Sequence, residues 1–223
     1  MKASPLASHV LFHIGPVPIA SAVVVTWALM ALLVLVSWLG TRRRALRPAG
    51  WQNALELVVE TLESQMTQIV HRDPRPYLPL LGTLFLFLAL ANLSSLLPGV
   101  SPPTAHLETD AALAGIVFCA VHAYGVRRHG LWEYVKGYAK PNLLLLPLNV
   151  LSEITRTFSL MIRLFGNIMS HEMVIGVLLT LAGLLVPVPL MALAVLIGLV
   201  QAYIFTILAT VFIGAAVESQ ERA

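Results

Sequence analysis

Charge is scarce in this 223-residue chain. Asp, Glu, Lys and Arg make up 11% of it, whereas 58% of the residues are hydrophobic. Soluble domains carry about a quarter charged residues, so the deficit excludes a soluble globular fold. Cysteine is nearly absent as well: the lone Cys119 excludes an intramolecular disulfide and any Cys-x-x-Cys metal or redox motif. The basic excess, 14 Lys and Arg against 11 Asp and Glu, is too small and too scattered for a nucleic-acid surface. Among the histidines only His9 and His13 lie close together, with no third ligand, so neither a metal nor another cofactor is expected. No Gly-x-x-x-x-Gly-Lys-[Ser/Thr] loop occurs, which argues against direct nucleotide binding. Internal repeats and low-complexity segments are also lacking. What is present, at a mean hydropathy of +0.83, is a polytopic membrane protein.

A bilayer core about 30 Å thick needs about 20 apolar residues in helical form. Residues 16–39 meet that requirement without a charge and are followed by Arg42, Arg43 and Arg44 rather than a cleavage site, so the segment is read as a retained span. Further spans are expected at 77–97 and 105–126. A long apolar run at 143–185 and a last helix at 188–217 follow, separated near Pro187 and Pro189. Between Trp51 and Val70, Leu55, Val58, Val59, Leu62, Met66 and Ile69 recur at helical spacing opposite Glu56, Glu60, Glu63 and Thr67, which predicts an amphipathic helix at 51–70. Its acidic polar face favours a protein partner over anionic lipid. The expected fold is therefore all-α: one membrane domain over 1–223, with five membrane-embedded helices and one amphipathic surface helix. Arg42–Arg44, Arg47, Arg72 and Arg75, and then Arg127, Arg128, Lys136 and Lys140, put 41–76 and 127–142 on the cytoplasmic side. The N-terminus is then outside and the C-terminus cytoplasmic.

The long run after Leu143 carries Glu153, Arg156, Arg163 and Glu172. A charge near the bilayer centre costs roughly 3 kcal/mol or more, so each needs a partner, water or a function. At about 100° per residue, Asn149, Arg156, Asn167 and Ser170 fall within about 40° of Arg163, with Glu153 and His171 about 80° away. One helix thus bears a polar stripe about 30 Å long with an arginine near its middle. Glu172 points to the opposite side, so an Arg163–Glu172 pair within one straight helix is excluded. Glu108 and Asp110, at the outer end of the third span, are expected to lie too shallow to pair with Arg163. A guanidinium stays protonated in almost any surroundings, so Arg163 can attract a carboxylate and hold it ionised without passing a proton on.

These residues carry a family resemblance. The stretch from Glu153 to Glu172, and above all Ser159-Leu-x-x-Arg163-Leu-Phe-Gly166-Asn167, resembles the signature of subunit a of F-type ATP synthases. Gln201-Ala-Tyr-Ile-Phe205, Pro103-Thr104-Ala105 and Asn92-Leu-x-x-Leu-Leu-Pro98 are similar to further motifs of that family, and the likeness covers about residues 10–218. It implies a non-catalytic, ion-translocating stator in a bacterial plasma (inner) membrane, coupling proton or sodium flow to ATP synthesis or hydrolysis. The implied partners are a c-subunit ring, the subunit b peripheral stalk, the soluble ATPase head and lipid. It also implies that the last two helices are long and strongly tilted, and that Arg163 faces the rotor acid between two half-channels. Gln201 would assist Arg163, with Asn167 as a polar neighbour. Glu172, with His171 beside it, would serve the outer half-channel, and Glu153 and Asn149 the inner; Arg156 and Ser170 are further candidates for the ion path. His106, Glu108 and Asp110 could enrich cations at the outer mouth, or be a solvated helix start.

The sequence departs from the family at Thr157, where a proline is common, and at Ala194, where some members carry a histidine partner for the glutamate. His171 is the available substitute. Symmetric counting about Pro187 would set Gln201 level with Glu172, whereas the family places it near the arginine. Competing classes lack their marks: no Gly-x-Ser-x-Gly or His-Glu-x-x-His motif for an intramembrane hydrolase or lipid transferase, and no repeat for a secondary transporter.

Overall fold

The computed structural model describes residues 10–14, 17–41, 50–70, 73–96, 100–138, 146–182 and 187–218. Outside these lie His9, the arginines at 42–44, 47 and 72, Lys140, Pro98-Gly99, 143–145, 183–186 and 219–223. The chain is an all-α polytopic membrane protein. Helices α1 (Ser21–Thr41), α2 (Gly50–Val70), α3 (Leu78–Leu93), α4 (Leu107–His129), α5 (Leu131–Tyr138), α6 (Leu146–Ala182) and α7 (Pro187–Glu218) follow in order. Five of them, α1, α3, α4, α6 and α7, are long and apolar enough to cross a membrane, α3 together with the 3₁₀ turn Ser94–Leu96 that extends it. A short antiparallel ribbon of β1 (Val10–Ile14) and β2 (Val17–Ala20) precedes α1. It was not anticipated, and it takes the first residues of the 16–39 segment out of the helix.

Length separates two kinds of spanning helix. At about 1.5 Å per residue, the 23 residues of α4 roughly match the hydrocarbon thickness. The 37 residues of α6 and 32 of α7 exceed it by many ångströms, so these two must run obliquely or project from the core. The bundle core lies where α3, α4, α6 and α7 meet. Leu81, Leu84 and Leu88 pack there with Leu113, Ala114, Val117 and Val121, with Leu160, Leu164 and Ile168, and with Ala202, Phe205 and Ala209.

The amphipathic α2 contributes Leu62, Met66 and Val70 to this interior. Val70 abuts Gly214 of α7, and Tyr203 Oη donates to Gln65 Oε1 at 3.2 Å. Its apolar face is thus used largely within the chain. Among the described side chains of that face the exception is Val59, which is exposed, as is Leu57.

Two glycines shape the region around the site. Gly130 (φ 84°) takes a left-handed conformation after the basic last turn of α4, ends that helix and turns the chain into α5. A Cβ on Gly198 would lie 2.8 Å from Asn92 Cβ, so its hydrogen lets α3 and α7 touch. Asn92 Nδ2 donates to Gly198 O (2.7 Å), and Thr104 Oγ1 donates to Asn92 Oδ1 (2.7 Å). That buried network ties α3, α7 and the turn before α4 together.

Candidate functional site

Arg163 stands near the middle of α6, with 17 helical residues before it and 19 after. Leu160, Leu164 and Ile168 turn into the core, and Arg163 lies on the flank of that stripe, exposed. Among the described residues its guanidinium has no hydrogen bond and no ion pair. It does not pair with Glu172, Glu108 or Asp110.

One turn further along, Asn167 Nδ2 donates to Gln201 Oε1 at 2.6 Å, joining α6 to α7. Gln201 is 2% exposed, and its Nε2 has no partner among the described residues. The glutamine is therefore level with Asn167, about 6 Å along the helix from Arg163, and not with Glu172. Counting about Pro187 fails because α6 ends at Ala182 and α7 begins at Pro187, so the centre of the hairpin falls between them, before Pro187.

Toward the start of α6 the chain closes a polar cleft of about 280 Å³. Asn149, Ser152, Glu153 and Arg156 line it from α6, Tyr134 and Tyr138 from α5, and Phe212 from α7. Glu153 and Arg156 approach to 3.6 Å, and the Arg156 guanidinium also lies over the Phe212 ring at 5.7 Å. Asn149 Nδ2 donates to Tyr138 O (2.9 Å), and the Tyr134 and Tyr138 hydroxyls share a hydrogen bond at 2.9 Å. Burial pushes both phenols up, Tyr134 further through the hydroxyl and charge of Tyr138 and the charge of Glu153. Both rings therefore stay neutral at physiological pH. Sequence reasoning missed the two tyrosines because 127–142 was read as a connection. The signal was there: Tyr134 and Tyr138 are one turn apart on a short helix whose other face exposes Leu131, Trp132 and Val135.

Toward the other end of α6, Ser170 Oγ donates to Gly166 O, and His171 and Glu172 are half-buried. Neither His171 nor Glu172 has a side-chain partner among the described residues. The start of α4 differs from a solvated mouth. Glu108 is exposed, but Asp110 is 0% exposed and neither carboxylate oxygen has a partner. His106, which precedes the first turn of α4, is half-buried with Nε2 unpartnered. The reason is the Thr104–Asn92–Gly198 network, which draws the turn before α4 into the bundle, where α6, α3 and α1 pack against it.

The sequence profile of the ATP synthase A chain family matches residues 23–214. The chain belongs to that family, subunit a of F-type ATP synthases. It is 61% identical to "ATP synthase subunit a 2" of Bradyrhizobium sp. (strain BTAi1) over 219 residues, 98% of each chain. It is 46% identical to "ATP synthase subunit a" of Albidiferax ferrireducens, over 99% of this chain and 96% of that one. It is also 45% identical to "ATP synthase subunit a 2" of Pelobacter propionicus, over 96% and 94%. Within this subunit a, the two long helices carry all the polar groups of α6 and Gln201, and α4 brings Asp110 beside them.

Proposed function

We propose that the chain is the ion-translocating stator of a rotary ATP synthase in a bacterial plasma membrane, with Arg163 presented to the acids of a c-subunit ring. The observation that carries this reading is a permanent cation at the middle of an apolar helix, exposed and without a partner among the described residues. A lone charge at membrane depth is costly, so a partner is required from elsewhere.

Orientation follows from the basic residues. Arg75, Arg127, Arg128 and Lys136 share one end of the bundle, where Tyr124 Oη donates to Pro76 O and His129 Nε2 meets Val217 O. The positive-inside rule makes this end cytoplasmic, with the N-terminus outside. The cleft of Asn149, Glu153 and Arg156 is then the inner half-channel, and Ser170, His171 and Glu172 serve the outer one.

A proton or sodium ion entering from outside neutralises a rotor carboxylate, which can then turn into lipid without carrying a bare charge there. On reaching the inner cleft it releases its ion and, ionised again, passes Arg163. The guanidinium favours the ionised acid and cannot relay the proton, so the two half-channels stay separate. The membrane potential supplies about 2.3 kcal/mol per charge per 100 mV to bias rotation. Gln201, pinned by Asn167, fixes the α6–α7 contact one turn from the arginine. Subunit b and the soluble head complete the assembly, and ATP chemistry occurs in the head, not on this chain.

Arg163→Ala in the intact complex tests the reading. ATP-driven ion uptake into vesicles should fall to background while the c ring still co-purifies. Retained coupled uptake would overturn it.

A further inference from the structure

Asp110 is the most anomalous ionisable group in the described residues. It continues the inward stripe of α4 formed by Ala114, Val117 and Val121, against Leu160, Leu164 and Ile168 of α6 and Ala202 and Phe205 of α7. At 0% exposure, with both oxygens lacking a partner among the described residues, a bare carboxylate there is untenable. A proton or a cation must accompany it.

Two contacts fix the direction of α4. The turn before α4 is tied through Thr104 and Asn92 to Gly198, and the end of α4 is tied by His129 to Val217 O at 2.7 Å. The helices α4 and α7 therefore run side by side in one direction. Ala111, Ala114 and Phe118 of α4 line one groove with Met161, Phe158 and Ile154 of α6, which puts Asp110 at about the level of Arg163. Gln201, paired with Asn167, lies one turn further out than Arg163. Among the described residues, His106, Asp110 and Gln201 are the three whose buried side-chain atoms lack partners.

We propose that Asp110 is an ion-carrying residue of the outer pathway, taking a monovalent cation that arrives past His106 and the Asn167–Gln201 level and holding it at about the depth of Arg163. With a proton, one carboxylate oxygen gains an O–H bond as hydronium loses one. The same proton then leaves to the rotor carboxylate, and nothing is oxidised or reduced. With sodium, the oxygens coordinate the ion and release it. This rests on the stator reading, in which ions approach the rotor acid from that side.

The test uses the whole complex in membrane vesicles. Asp110→Asn keeps the shape and removes the acid. ATP-driven uptake should fall by about tenfold or more, with the c ring retained and ATP hydrolysis by the detached head unchanged. Uptake read by a pH-sensitive dye in sodium-free medium, and separately with radioactive sodium, identifies the ion carried. A second variant, Asp110→Cys in a Cys119→Ser background, should retain residual uptake that silver ions abolish when trapped in the vesicle lumen, which the outer face of the membrane lines. Asp110→Asn with at least half of normal uptake would overturn the proposal, as would insensitivity of the cysteine variant to silver. Arg163→Ala run in parallel separates the two ideas: its failure to abolish uptake sinks the stator reading, whereas full activity of Asp110→Asn beside an inactive Arg163→Ala sinks only this one.

Discussion

The two halves of α6 are treated differently by the rest of the chain. Before Arg163, the amide and charged groups of the stripe find company: Asn149 bonds Tyr138, Glu153 meets Arg156, and Arg156 lies over Phe212 around a polar cleft. Beyond Asn167, His171 and Glu172 have no partner among the described residues. The difference lies in what packs alongside. The half before Arg163 is walled by α5 and the end of α7 and packs against the start of α4, whose own acid, Asp110, is unpaired among the described residues. On the proposed ion path, the half before Arg163 would offer several interchangeable groups and the half beyond Asn167 few.

That contrast can be broken by substitution. Glu172→Gln should lower ATP-driven ion uptake on the order of a hundredfold, as expected when one of few acid–base groups is removed; a loss below threefold would erase the asymmetry. Next in size is Gly198→Ala. The added methyl strikes Asn92 and should lower the thermal stability of the complex by about 1–3 kcal/mol, because two backbones must part. Unchanged stability would mean that α3 and α7 do not meet there. Glu153→Gln should reduce uptake by no more than about threefold, under 1 kcal/mol of barrier, since Asn149, Ser152 and the tyrosine hydroxyls remain. Smallest is Arg156→Gln, read by the same thermal assay. Its ion pair is about half exposed on the arginine side, so the change should cost at most about 0.5 kcal/mol.

Much of this was legible in the sequence. Scarcity of charge and the long apolar runs gave an all-α membrane fold, and angular counting gave a stripe centred on Arg163. What was not legible depended on tertiary placement. The inner cleft needs α5, whose eight residues fall among basic ones and fold back only because Gly130 turns the chain and Gly125 leaves room for the Tyr134 ring. Asp110 read as a mouth residue because it opens a helix, and its burial follows from Thr104, twelve residues from its partner Asn92. The placement of Gln201 near the arginine came from the family resemblance and not from counting about Pro187, which fails because the helices, not the prolines, set the hairpin centre.

The central claim is that the Arg163 face of α6 meets a rotor, and cross-linking tests it most directly. Ser152, Ser159 and Ser170 are exposed on that face, within about 40° of Arg163, whereas Leu160 and Leu164 are buried. Single cysteines at these five positions, in a Cys119→Ser background with a cysteine beside the c-subunit acid, should give disulfides for the three serine sites and none for the two leucines. Equal cross-linking at Leu164→Cys, or none at Ser159→Cys and Ser170→Cys in assembled complexes, would contradict the account.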